Sequence, residues 1–468
     1  MKRSIYLILI FTFIASCFSV ILWAEDEEKP FIEEEKRVQL EETIKVEPKI
    51  DNNFLYDYGA WWRSASYTFD DQGDKHILRT NDFRFWGKAL LNDMHNFYVR
   101  IKAISVDYNK GDGYLGDDNY WIKPRLDQGF YTLNLSDVLL GKEESRIFYP
   151  RTRLQIGRQY LSLGSGIAYS QVNDGAKLDM HWIGFDSTLL MAQTIPSVRD
   201  IDVSRPDHHG RRDFLGLQVT FQALDRHVPY LFALKQTDNN REDPADANQN
   251  YDYDSNYYGL GVRGTIIPKL EYAAEYIQEK GKSYANGSAT VKEDIKASAK
   301  LFHVRYLPSM KFSPFFTARY ISGSGDKDRL SVTNTVGGNR LGTNDTNFLS
   351  FGYAMTGYVL NPRISNLNVT NILASIKPIQ NKEWANNTEV GLGLYWYTKD
   401  KKAGAISDRA AILAKKDVGS EVDFFADWKI FYDLSLSVRT GIFTPGSAYP
   451  DGFDDKSKFY SLSFNYSF

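Results

Sequence analysis

Residues 459–468 read FYSLSFNYSF and end the chain. From Tyr460 onward, apolar or aromatic side chains alternate without a break with small polar ones. This period of two predicts a β-strand with one apolar face and one polar face. Such a strand suits a transmembrane barrel, in which one face meets lipid and the other meets a polar lumen. The prediction of a barrel therefore depends on whether the rest of the chain supplies enough similar strands to close one.

Composition agrees with a barrel. The chain has 468 residues, of which 15% are aromatic, yet its mean hydropathy is only −0.42. Lipid-facing and lumen-facing residues alternate along a barrel strand, so they cancel in any average over a window. Beyond the amino-terminal segment no run of 18 apolar residues occurs, and no helical membrane span is expected.

The amino terminus has the features of a targeting signal. Lys2 and Arg3 precede an apolar stretch, and acidic residues begin at Glu25. We therefore predict a signal peptide over residues 1–24, cleaved after Ala24. Cys17, the single cysteine, ends the sequence Ile-Ala-Ser-Cys. A lipoprotein processing site at this cysteine stays open as the alternative.

The segment 25–50 differs in composition from the rest of the chain. It holds ten acidic and five basic residues, and this excess of five acids, together with the two basic residues Lys2 and Arg3, accounts for the net charge of −3. We interpret it as a charged periplasmic linker, with the barrel over residues 51–468. No basic patch of the kind that binds nucleic acid is present.

Short and long connections largely alternate beyond residue 51, as in outer-membrane barrels with tight periplasmic turns and long extracellular loops. The prediction is an all-β, antiparallel transmembrane barrel of about 18 strands. The long segment 322–365 either contains a further strand near 348–359 or folds into the lumen. The predicted strands are 56–69, 76–91, 97–108, 128–138, 151–160, 174–182, 185–194, 212–222, 228–236, 255–266, 269–279, 294–306, 313–321, 366–377, 386–398, 418–429, 433–444 and 457–468.

Charged side chains on these strands should face the lumen, because an Arg or Lys facing lipid at mid-bilayer costs roughly 2–4 kcal/mol. Lys235 is assigned to the lumen on this basis. Arg158 and Lys300 fall out of phase with the neighbouring charges on their strands, and bulges would explain both. The candidate pore-lining residues are Arg84, Arg100, Lys102, Arg153, Arg158, Lys177, Arg263, Arg319, Glu421, Asp423, Asp427 and Arg439.

Three stretches resemble the alginate-export porin family: 154–159 (LQIGRQ), 418–428 (VGSEVDFFADW) and 434–448 (LSLSVRTGIFTPGSA). The resemblance implies an 18-stranded outer-membrane channel that conducts an anionic polysaccharide through a basic constriction. It carries over Arg158 and Arg439, with Glu421 and Asp423 as charged partners. The acids on the 418–429 strand depart from a purely basic pore.

The expected function is an outer-membrane porin or exporter in which a polar, anionic saccharide or small solute diffuses through a charged constriction. The alternative is a surface adhesin or receptor that acts through its long loops. An enzyme would need an Asp/His or Ser/His constellation, for which only Asp179 with His181 qualifies, so no catalytic residue, metal or cofactor is predicted. Expected partners are outer-membrane lipid, lipopolysaccharide, the barrel-insertion machinery and the solute, with a monomeric barrel and no nucleic acid.

Overall fold

The structure is a computed structural model. The residues that it describes are 54–71, 73–92, 94–113, 119–140, 151–195, 211–239, 253–284, 291–329, 339–382, 384–408 and 410–468. The predicted signal peptide and linker lie outside these residues and stay predictions.

The described chain forms one antiparallel sheet of 18 strands, in which every strand pairs with its neighbours in sequence. The strands are β1 (Phe54–Asp71), β2 (Asp74–Leu91), β3 (His95–Tyr108), β4 (Tyr120–Asn134), β5 (Arg151–Leu163), β6 (Tyr169–Trp182), β7 (Phe185–Thr194), β8 (Arg212–Phe221), β9 (His227–Asp238), β10 (Tyr253–Ile267), β11 (Leu270–Tyr284), β12 (Lys292–Tyr306), β13 (Phe315–Gly323), β14 (Leu367–Ile376), β15 (Thr388–Lys399), β16 (Asp417–Lys429), β17 (Leu434–Pro445) and β18 (Ser457–Ser467).

The last strand closes the barrel. β18 pairs with β1 from Trp61 opposite Ser467 to Asp70 opposite Lys458. Closure leaves neither strand with an unpaired edge, which removes a site for aggregation. The pairing of the carboxyl-terminal strand with the first strand is confirmed.

All 18 predicted strands are present, and the largest difference concerns β4. This strand starts at Tyr120, eight residues before the predicted start, and a short helix α1 (Leu135–Leu140) takes up the end of the predicted segment. Two register shifts between β3 and β4 break the alternation that the prediction relied on. Within the described ranges, no helix has the length and apolar character needed to cross a membrane.

The two ends of the barrel differ in their connections. Two-residue turns at Ile183 and Gly184 and at Pro268 and Lys269 join β6 to β7 and β10 to β11. Gly184 and Lys269 have positive φ values of 87° and 74°, as tight hairpin turns require. The long connections, including 324–366, leave from the opposite end, which is the extracellular end of an outer-membrane barrel.

The main packed core lies inside the barrel. Inward side chains from the extracellular halves of the strands, among them Tyr257, Ile277 and Tyr397, cluster with Phe348 and Leu349 of the connection between β13 and β14. The outer surface instead exposes large apolar side chains such as Leu260 and Phe302. The alternation along each strand therefore places one set in lipid and the other in the interior.

Candidate functional site: the lumen and its inner loop

The connection between β13 and β14, residues 324–366, folds into the lumen, and we call it the inner loop. Residues 330–338 lie outside its described part. Phe351 forms a parallel bridge with Tyr169 of β6, and the Tyr358 backbone N–H donates to Glu421 of β16. In an 18-stranded barrel β6 and β16 stand on nearly opposite sides, and the loop contacts both. The inner loop therefore crosses the lumen; its described part contains no named strand, and of the two alternatives the folded-in loop is correct.

Glu421 of β16 is the strongest anchor of this loop. Its Oε1 accepts hydrogen bonds from the backbone N–H groups of Tyr358 (2.6 Å) and Val359 (2.7 Å), and its Oε2 accepts one from Leu360 (2.8 Å). Asp423 accepts a further bond from the Tyr358 N–H at 3.1 Å. Hydrogen bonds from backbone N–H groups to a carboxylate are charge-assisted and stronger than neutral ones, so they hold this segment of the loop firmly.

Gly357 allows this close approach. A Cβ atom at this position would lie 2.4 Å from the Tyr397 hydroxyl and 2.7 Å from Glu421 Oε1. The Tyr397 hydroxyl itself lies 2.6 Å from the Thr356 carbonyl oxygen. Any side chain at residue 357 would therefore push the loop away from the β16 carboxylates.

Glu279 of β11 forms a second anchor. It accepts hydrogen bonds from the Leu349 N–H at 3.0 Å and from the Tyr253 hydroxyl at 2.7 Å. The Tyr257 hydroxyl lies 2.9 Å from the same carboxylate and 2.8 Å from the Leu349 carbonyl oxygen. Both backbone polar groups of Leu349 are thus satisfied by the wall, as a buried segment requires.

An ion pair stiffens the loop internally. Arg329 Nη2 lies 2.8 and 2.9 Å from the two carboxylate oxygens of Asp345, and both side chains are buried. Burial raises the pKa of the Asp345 carboxyl above its usual range, while the Arg329 guanidinium and the Asn347 N–H oppose that rise. A parallel bridge from Asp345 to Ile295 attaches this part of the loop to β12.

A basic cluster lies on the wall formed by β1–β4, and we define it as Arg84, Arg100 and Lys102. All three bind one carboxylate: Asp127 is 2.9 Å from Arg84 Nη1, 2.5 Å from Arg100 Nε and 3.0 Å from Lys102 Nζ. Arg84 also pairs with Asp82 at 2.9 Å. The structure thus brings three predicted residues together around an acid that the sequence analysis did not single out.

Asp127 reaches the cluster because of an irregularity in β4. Arg100 pairs with Gln128 and Ile101 pairs with Leu126, so Asp127 is an extra residue with no partner in the ladder. A bulge of this kind re-aims a side chain, and here the adjacent Asp127 and Gln128 are both buried. The predicted strand began at residue 128 and left Asp127 in a loop, since alternation alone gives no sign of a bulge.

Other predicted residues face the lumen on separate parts of the wall. Arg439 pairs with Asp427 at 2.8 Å, and Arg153 pairs with Asp179 at 3.2 Å. Lys177 lies 3.2 Å from the same Asp179. Arg263, on the inward face of β10, is exposed. The contact of solute with these side chains stays a prediction.

Arg319, Glu421 and Asp423 also face inward, but they hold the inner loop. Arg319 donates to the Met355 carbonyl oxygen and, at 3.0 Å, to Asn371 Oδ1. Glu421 and Asp423 are 1% and 2% exposed. Their predicted place in the wall is correct, and the inner loop covers the two carboxylates.

Arg158 is a correction, because it faces outward. Both of its ladders are regular, with Arg158 opposite Gly129 and Asp174, and no bulge interrupts β5. Ile156, two residues earlier on the same face, is 47% exposed. Arg158 pairs with Asp174 at 2.8 Å on the outer surface. Arg158 is therefore not a pore-lining residue. Its position in the alternation along β5, out of step with Arg153, had already indicated that it faces outward.

Lys235 and Lys300 are corrections of the same kind. Lys235 alternates with the buried Leu234 and Gln236 and shares its face with Leu231, which is 45% exposed. Lys300 is exposed opposite Tyr276 in an unbroken ladder between β11 and β12. Both lysines lie on the outside of the barrel, as the alternation along β9 and β12 requires, so the rule that charged side chains face the lumen does not hold at these two positions.

The residues that the sequence analysis missed are Asp127 and Glu279. Glu279 follows Glu271 and Glu275 at intervals of four on one strand face, and this spacing was an available signal. Neither acid forms a metal site: no group of three or more His, Cys, Asp or Glu in the described chain could hold a metal ion. His181 contacts Asp186 rather than Asp179, so the Asp179–His181 pair considered for catalysis is not formed.

Comparison with known proteins decides the family. A family model described as Alginate export matches residues 139–462, which is more than half of the chain. The chain belongs to the alginate export family. No curated protein sequence matches it. This member of the family is an outer-membrane channel of a Gram-negative-type bacterium.

Solved porins share the fold. A crystal structure of an OccD1 (OprD) variant has a TM-score of 0.53 at 14% identity, covering 89% of this chain and 97% of that one. Pseudomonas aeruginosa OccK8 (OprE) has a TM-score of 0.54 at 10% identity, with 89% and 99% covered. Pseudomonas aeruginosa OccK5 (OpdH) has a TM-score of 0.52 at 12% identity, with 88% and 97% covered. These similarities establish the 18-stranded barrel architecture.

Proposed function

We propose that the channel passes a polar, anionic saccharide or a similar small anionic solute by diffusion past the inner loop. The loop narrows the lumen, and the charges left accessible select the solute. No chemical step or cofactor is required. The closed single-chain barrel supports a monomer, which outer-membrane lipid surrounds after insertion by the barrel-insertion machinery.

One observation carries the preference for anions. Four inward acids, Glu275, Glu279, Glu421 and Asp423, are at most 5% exposed. Inner-loop or loop-end groups cover them, including the backbone and hydroxyl of Ser165 at Glu275. Arg153 retains 54% exposure of its side chain in the lumen. We expect the covered acids to contribute little to the field that a solute meets, so the proposed preference for anions rests on the exposed inward arginines Arg153 and Arg263.

The decisive experiment measures ion selectivity in planar bilayers under a KCl gradient. We expect the double variant Arg153→Ala with Arg263→Ala to shift the reversal potential toward cation selectivity, because both removed cations face the lumen. A matched control, Lys235→Ala with Lys300→Ala, removes two cations from the outer surface and should leave the potential unchanged. Equal shifts in both variants, or none in the first, would refute a selecting role of the inward arginines.

The solute class needs a separate measurement. Oligomers of a uronic acid should reduce the current of the wild-type channel at lower concentration than neutral oligosaccharides of the same length. The Arg153→Ala, Arg263→Ala variant should lose most of this difference. A folded barrel that carries no current at all would instead favour the surface receptor that the long loops allow.

A further inference from the structure

The lysines that do not fit the lumen form a pattern on the outer face of β9–β12. Lys235 pairs in register with Asn256, Asn256 with Lys280, and Lys280 with Lys296. These four residues therefore form one row across four neighbouring strands, with adjacent positions about 4.8 Å apart. Residues far apart in the sequence meet here only through strand pairing.

The row faces outward on every strand. Lys280 follows the fully buried Glu279, and Lys296 lies between the buried Ile295 and Ala297. Toward the periplasm, the same outer face carries Tyr276 and Phe302, which are 46% and 51% exposed. The row thus borders the apolar band that contacts lipid tails.

The height of the row corresponds to the outer leaflet's headgroups. β11 begins after the two-residue periplasmic turn, and Lys280 follows its first residue, Leu270, by ten positions. At about 3.3 Å per residue and a strand tilt of about 40°, Lys280 lies about 25 Å above Leu270. The apolar band of such barrels is also about 25 Å tall.

Three more lysines share this outer face: Lys282 and Lys292 beyond the row, and Lys300 beside Tyr276 in the apolar band. The acids on the same face are Asp213, Asp254 and Asp294. Asp294 lies 2.5 Å from Lys282 and 3.8 Å from Lys296, and Asp254 lies 3.7 Å from Lys292. Six lysines against three acids leave a surplus of positive charge on this face.

The row itself places like charges next to each other. Lys280 and Lys296 are direct cross-strand partners, and like charges at such positions destabilise a sheet. In the described chain, the ammonium groups of Lys235, Lys280 and Lys300 make no ion pair or hydrogen bond. A bound anion that bridges the row would turn this repulsion into attraction.

We propose that the outer face of β9–β12 binds the phosphate groups of lipopolysaccharide through Lys235, Lys280 and Lys296, with Lys282 and Lys292 around them. Phosphorylated glycolipid in the outer leaflet places phosphates at the height of the row, and its acyl chains lie against Tyr276 and Phe302. Lysines near a membrane surface attract anionic headgroups in this way. The site is independent of the lumen and of the solute.

The test is the affinity of the intact detergent-solubilised barrel for purified lipopolysaccharide, measured by native mass spectrometry. The variant Lys235→Gln, Lys280→Gln, Lys296→Gln should bind roughly a hundredfold more weakly, at about fivefold per lysine. A matched control changes three exposed lysines near the periplasmic rim, Lys311→Gln, Lys382→Gln and Lys429→Gln, and should bind like the wild type.

Two further arms separate the phosphate contacts from other causes. Enzymatically dephosphorylated lipopolysaccharide should bind the wild type as weakly as intact lipopolysaccharide binds the row variant. Changing the three row lysines to Arg should retain affinity, which excludes misfolding as the cause of the loss. Equal binding by the row and rim variants, or full binding of dephosphorylated lipopolysaccharide, would overturn the proposal.

Discussion

The wall formed by β1–β4 and the wall formed by β10–β16 both carry inward charges, but they satisfy them differently. In the first wall, Arg84, Arg100 and Lys102 find their partner, Asp127, within the wall itself. In the second wall, Glu279 and Glu421 accept hydrogen bonds from the backbone of the inner loop. The same inward orientation therefore pairs opposite charges within the first wall and holds the inner loop in place at the second.

This difference has a physical basis. A carboxylate beside guanidinium groups is satisfied by charge pairing and needs nothing from the lumen. Glu421 instead binds three consecutive backbone N–H groups, at Tyr358, Val359 and Leu360. A backbone N–H inside the barrel needs an acceptor, so the loop and the acid depend on each other.

Glu421→Ala should produce the largest effect on conductance. The substitution removes the acceptor that Val359 and Leu360 use and one of the two at Tyr358. An unsatisfied buried N–H costs about 1–3 kcal/mol, so residues 358–360 should leave the wall and single-channel conductance should rise markedly.

The control for this variant is Glu271→Ala, which removes an inward acid that pairs with Arg305. Because Glu271 bonds to Arg305 and to no group in the described part of the inner loop, the control should conduct like the wild type. Wild-type conductance in the Glu421→Ala channel would show that the loop is held elsewhere.

Asp127→Asn should test the other wall. It leaves the basic cluster without its shared carboxylate, and breaking a buried ion pair costs about 3–5 kcal/mol. We expect the free energy of unfolding in urea to fall by that order, and the reversal potential to move toward anions. Asp82→Asn, which removes the carboxylate that pairs with Arg84, should lower stability less. Equal losses for the two variants would contradict the central position of Asp127.

Arg158→Gln should have the smallest effect. Its pair with Asp174 lies on the outer surface with the carboxylate 43% exposed, and such pairs contribute about 1 kcal/mol or less. We expect an unchanged reversal potential. Arg439→Gln breaks a similar Arg–Asp pair inside the lumen and should shift the potential toward cations. A shift of the reversal potential with Arg158→Gln would show that Arg158 lines the pore after all.

Much of the fold was predictable because alternation is a local property. The period of two in residues 459–468 identified β18, and the same criterion located the other strands to within a few residues, apart from β4. The side of the barrel wall to which a side chain points was predictable wherever a strand is regular, as at Arg319 and Arg439. The prediction was wrong for Lys235, because it followed the rule that charged side chains face the lumen and not the alternation along the strand.

The candidate site was less predictable because its partners are remote in sequence. Glu421 was identified as a charged lining residue, yet its partners lie more than 60 positions earlier in the inner loop. Asp127 joins the basic cluster only through a bulge, which changes the direction of one side chain without a sequence signature.

The amino-acid sequence by itself determined the strands, their two faces and the closure of the sheet by β18, because side-chain alternation acts within one strand. Tertiary structure alone decided which residues share a row, as with Lys235, Lys280 and Lys296, because register links strands that are distant in the chain. It also decided that the inner loop enters the lumen, since only the assembled barrel offers Glu279 and Glu421 together as acceptors for its backbone.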